Sequence, residues 1–127
     1  MNTRLYRLMK AKRWPGRLET GHSRVGRWHT KGRAVIYMAE SPALALLEWI
    51  KGKMGANLLE HEVAHAELLL VEFSCELIDT DIAAVDSASL PPQWWCIPNQ
   101  LSISTQSQGN DWLDSLETLA LRVPSAI

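Results

Sequence analysis

The chain has 127 residues and a formal net charge of −1, with 46% hydrophobic and 21% charged residues. That size suits one domain with its own core, and the composition excludes a disordered, collagen-like or coiled-coil chain. No apolar run approaches the ~18–20 residues that span a bilayer, and the basic start MNTRLYRLMKAKRW lacks the apolar core of a secretory signal.

Two cysteines, Cys75 and Cys96, offer neither a disulfide framework nor metal spacing, which points to a reducing, cytoplasmic setting. The charge is unevenly spread. Residues 1–33 hold ten of the thirteen basic residues and one acid, whereas 34–127 hold three basics and thirteen acids. A balance of +9 against −10 suggests a basic surface that meets an anion, or simply a solvated basic face.

In chain order, residues 4–9 alternate as a short strand should. Residues 10–33 read as a long basic loop, punctuated by Pro15 and by glycines at 16, 21, 26 and 32. The run AVIYM (34–38) predicts a buried strand. Ser41-Pro42 then opens a helix, with serine as N-cap and proline in the first turn. That helix ends near Gly52 or Gly55, with Leu44, Leu47 and Ile50 as its buried stripe. Residues 57–66 are ambiguous, and 67–73 (ELLLVEF) predict a strand that 76–79 either continue or pair beside. Pro91-Pro92 breaks the chain before Trp94-Trp95. Residues 103–115 read as a helix interrupted by Gly109, and 116–123 as a strand stopped by Pro124. Strands and helices without βαβ repetition give an α+β class.

Four features carry chemistry. Glu48 is the only charge in an apolar helical run, so it should be at least half buried. It is either a cleft carboxylate or an edge residue paired with Lys51 or Lys53. Tyr37 ends the AVIYM run and can share a cleft with Glu48, or serve as a rim tyrosine. Arg7 and Arg27 supply planar forks suited to phosphate, or are surface charges. The fourth feature, His61-Glu62-Val63-Ala64-His65, fits H-E-x-x-H. It lacks the extended zinc-protease pattern, with Leu68 and Val71 where glycine and histidine belong. The basic stretch with Trp14 and Trp28 could stack on nucleic acid, but no recognition motif accompanies it.

Together, Gly26-Arg27-Trp28, Val35-Ile36-Tyr37-Met38-Ala39-Glu40-Ser41 and Ala45-Leu46-Leu47-Glu48 resemble the signature of RES-domain proteins, the toxins of RES–Xre toxin–antitoxin pairs. Leu5-Tyr6-Arg7, Leu90-Pro91 to Trp94-Trp95, Gly109-Asn110-Asp111-Trp112 and the stretch Leu121 to Ala126 keep the family's order. The resemblance implies an ADP-ribosyltransferase-like α+β fold with a split small sheet around an NAD cleft. It implies cleavage of the nicotinamide–ribose bond by hydrolysis or phosphorolysis, or transfer of ADP-ribose to a protein. An inactive module that only binds its antitoxin is the non-enzymatic alternative.

By motif, the resemblance makes Glu48, Tyr37 and Arg27 the catalytic set. Arg7, Arg27, Tyr37 and Ser125 are then the NAD-binding residues. NAD is substrate rather than cofactor, and no metal is implied. The implied partner is an Xre-type antitoxin, in a homo-oligomer or a hetero-oligomer with it, with no direct nucleic-acid contact and no membrane. Two departures stand out. His29 replaces the usual Asn after G-R-W. The chain also stops at Ile127, where members usually continue, so the expectation is one RES-like domain over 1–127 short of its usual C-terminal segment.

Overall fold

The computed structural model describes residues 2–18, 26–55, 67–92, 94–96 and 103–125. Among these residues it is mixed α+β, with two helices and two small two-stranded sheets, joined by short 3-10 turns. The chain divides into two units. One is built from Met1–Glu19 and Ile36–Glu76, the other from Thr20–Val35 and Leu77–Ala126.

In the first unit, β1 (Asn2–Lys10) pairs antiparallel with β2 (Leu68–Glu76), in register from Asn2 opposite Glu76 to Lys10 opposite Leu68. The strand predicted over 67–73 therefore continues to Glu76. Alternation puts Leu5, Arg7 and Met9 on one face with Phe73, Val71 and Leu69. Val71 is buried and marks that face as the inner one along β2. The opposite face is polar at Arg4 and Glu72, whose side chains pair at 3.4 Å.

Residues 34–38 are not the buried strand that their β-rich letters predict. Only single bridges form, at Val35 and Ala39. Ala39 exchanges both backbone hydrogen bonds with Tyr6, at 2.8 and 2.7 Å. Two residues later the chain turns into a helix, so one rung is all the segment contributes to β1.

Helix α1 (Pro42–Gly55) starts where the serine–proline pair predicts. The Ser41 hydroxyl accepts from the Leu44 N–H at 3.1 Å, satisfying one of the orphan donors of the first turn. The helix packs against β1. Among its described side chains Ala45 is the buried one; of the predicted stripe, Leu44 and Ile50 are half-buried, whereas Leu47, like Leu46, is exposed. Among the described residues, no helix is long and apolar enough to cross a membrane.

In the second unit, β3 (Ile82–Ala84) and β4 (Ala120–Arg122) form a parallel pair. Backbone bonds from Leu119 to Asp81 and from Val85 to Arg122, both 2.9 Å, extend it at either end. Between these strands the chain makes a turn at Trp94–Cys96 and then helix α2 (Ile103–Ser115). The core is Trp28, Leu90 and Trp94, flanked by Val85 and Val123. The predicted strand over 116–123 is cut to three residues. Leu116 adopts φ 55°, a left-handed conformation that no strand accommodates, and it stands 89% exposed.

Candidate functional site

Of the residues that the sequence singles out, Arg7, Tyr37 and Glu48 lie in the first unit, and Arg27 and Ser125 in the second.

Arg7 sits on the inner face of β1, opposite Val71. Its Nη1 donates to the Tyr37 carbonyl at 3.2 Å. Tyr37 is thus held by its backbone, between the Arg7 fork and the Tyr6–Ala39 rung. The residue as a whole is 36% exposed. Four residues beyond Tyr37 comes Ser41, the cap of α1, and Glu48 follows in the second turn. Glu48 is exposed, where its apolar neighbours predict at least half burial. The reason is the inward position of α1: the small Ala45 makes the buried contact, and Leu47 and Glu48 lie outside it.

Arg27 belongs to a tight turn closed by the Gly26 N–H donating to the His29 carbonyl at 3.1 Å. This turn forms with His29, itself buried, at the position where the resemblance implies asparagine. The Arg27 guanidinium lies 5.7 Å from the centroid of the Trp94 ring, within cation–π range. Its Nη1 donates to the Trp94 carbonyl at 3.1 Å, and Nη2 reaches the Trp95 carbonyl at 3.5 Å. Trp94 in turn packs on Trp28 with ring centroids 5.8 Å apart. Ser125 is exposed just past β4 and Pro124, and Val123 beside them packs on the tryptophan core.

Sequence reasoning missed the residues that hold the Arg27 turn from α2. Thr105 Oγ1 donates to the Arg27 carbonyl at 2.6 Å, and Gln106 Nε2 to the Gly26 carbonyl at 2.9 Å. Asn110 accepts from the Thr30 N–H and donates to the Thr30 hydroxyl. Arg33 donates to the Asn110 carbonyl and pairs with Asp114. The available signal was spacing. Residues 106, 110 and 114, with 105 and 109 beside them, recur as one helical face, but that face has no large apolar residue and hydrophobic periodicity passes over it.

The H-E-x-x-H stretch, 61–65, lies outside the described residues. Among the described residues, no three His, Cys, Asp or Glu side chains gather as metal ligands would.

The family model described as the RES domain matches residues 4–127. Three curated relatives are each named Toxin Res. The one from Yersinia enterocolitica is 33% identical over 102 residues, 80% of this chain and 60% of that protein. That from Photorhabdus laumondii is 34% identical over 129 residues, 97% of this chain and 74% of the relative. That from Pseudomonas putida is 37% identical over 109 residues, 85% and 68% respectively. This chain therefore spans under two thirds of the Yersinia protein's length. With the match running through β1, the Arg27 turn, α1, α2 and β4, the chain belongs to the RES-domain family.

Proposed function

We propose that this chain is a RES toxin that cleaves NAD at the bond between nicotinamide and ribose. The observation that carries the reading is the Arg7–Tyr37 bond. It joins a cation and an aromatic residue thirty positions apart, next to the capped helix that presents Glu48.

In the reaction, the bond from ribose C1′ to the nicotinamide nitrogen breaks. Both electrons leave with neutral nicotinamide, and the ribose acquires oxocarbenium character. The Glu48 carboxylate stabilises that positive charge and accepts a hydrogen bond from a ribose hydroxyl. Water or phosphate then forms the new bond to C1′, and water loses its proton to solvent. The Tyr37 ring supplies an aromatic face for nicotinamide or ribose. The family's motif, rather than any placement of one unit against the other, assigns Arg7 and Arg27 to the pyrophosphate and Ser125 to positioning. An Xre-type antitoxin holds the toxin inactive in the cytoplasm by covering this machinery.

The test is NAD consumption by purified protein freed of antitoxin, with and without phosphate. Nicotinamide release is expected, and Glu48→Gln lowers the rate by about 10²–10³-fold, the usual cost of losing a group that stabilises transition-state charge. An unchanged rate in Glu48→Gln overturns the assignment. Transfer of labelled ADP-ribose to a lysate protein, with nicotinamide released but no free ADP-ribose or its phosphate, replaces it with protein modification.

A further inference from the structure

We infer that Thr105 and Gln106 of α2 are positioning residues for Arg27, and through it for the pyrophosphate of NAD. This rests on the proposed role of Arg27 in NAD binding.

Three observations converge. Thr105 is fully buried, yet its hydroxyl is turned to a backbone carbonyl, that of Arg27, at 2.6 Å. Gln106, also buried, makes the equivalent bond to the adjacent Gly26 carbonyl at 2.9 Å. Gly109, one turn further along α2, lies so close to the turn that a Cβ there would fall 1.7 Å from the Trp28 oxygen. A helix thus grips three consecutive peptide groups, 26 to 28, through two side-chain donors and one missing side chain.

Buried polar side chains cost stability unless they are bonded, so this face is built to hold a turn rather than to fill a core. The guanidinium at the other end of Arg27 is oriented by the Trp94 ring and carbonyl. Backbone and fork are therefore fixed from opposite ends. An arginine that must meet two phosphate oxygens with a planar fork gains from such fixing, because the ordering is complete before the ligand arrives.

The test compares Thr105→Val, which keeps shape and loses the hydroxyl, with Thr105→Ser, which restores it. If Arg27 grips the pyrophosphate equally in ground and transition states, Thr105→Val raises KM for NAD about tenfold and leaves kcat within about twofold. Thr105→Ser returns KM to near the parent value. An unchanged KM in Thr105→Val overturns the inference, and so does a loss in kcat and KM that serine does not rescue. If Thr105→Val fails to fold, Gln106→Met reads the neighbouring bond by the same split.

Should the parent protein leave NAD intact, the proposed function falls. Amide exchange at Gly26 and Thr30 then decides the positioning role. At least tenfold faster exchange in Thr105→Val, recovered in Thr105→Ser, upholds it, and unchanged exchange removes it.

Discussion

Gly109 is the residue at which two physical rules give opposite answers. Glycine inside a helix costs about 1 kcal/mol relative to alanine, so propensity alone says that Gly109→Ala stabilises α2. The backbone of Trp28 says the reverse, because the added methyl would meet its carbonyl oxygen at 1.7 Å. That neighbour is backbone held in a hydrogen-bonded turn, not the end of a flexible side chain. Overpacking of this kind costs about 1–3 kcal/mol, sometimes more. Gly109→Ala is therefore expected to destabilise by about 2 kcal/mol net, read as a lower urea midpoint. A raised midpoint would mean that the turn yields easily. The same glycine reads in the sequence as an interruption of the helix, since what it accommodates lies about eighty positions away along the chain.

At the scale of elements, local signals decide the structure where they are sufficient. Ser41-Pro42 starts α1 because a cap and a first-turn proline act within four residues. Ser41→Ala should cost about 1 kcal/mol in stability without altering the rest of the fold, measured by urea unfolding. Alternation in β1 and apolar richness in β2 likewise suffice, since the strands pair with each other along nine positions. Failures occur where a distant or conformational event overrides propensity. AVIYM has strand letters, but Ala39 makes a single rung before Ser41 begins the helix. LETLALRV has them too, but Leu116 takes a left-handed φ and leaves only Ala120–Arg122 paired. For the candidate site, motif residues were legible singly. The Arg7 bond to a backbone carbonyl, and the polar face of α2 that grips the Arg27 turn, were not. Backbone acceptors carry no letter of their own in a sequence.

Across the whole chain, the +9 against −10 division looks like a basic segment awaiting an anion, but folding already spends part of it. Arg4 pairs with Glu72 within the first unit, and Arg33 with Asp114 within the second. Each joins a base from the first 33 residues to an acid from the remainder. The two pairs differ in setting. The side chains of Arg4 and Glu72 are 66% and 49% exposed, so solvent screens them and the pair contributes little. The Arg33 side chain is 31% exposed and also donates to the Asn110 carbonyl, so its loss removes a hydrogen bond to a neutral acceptor as well as the ion pair. Arg4→Ala should therefore shift stability by less than about 0.5 kcal/mol, and Arg33→Ala by about 1–2 kcal/mol. Salt separates the contributions further. Raising ionic strength to 1 M shortens the Debye length to about 3 Å and removes most of the effect of Arg4→Ala. The Arg33 bond to a neutral carbonyl survives that screening, so most of the Arg33→Ala loss should persist. Equal losses for the two variants at low salt, both vanishing at high salt, would show instead that the basic third is held by surface charge alone.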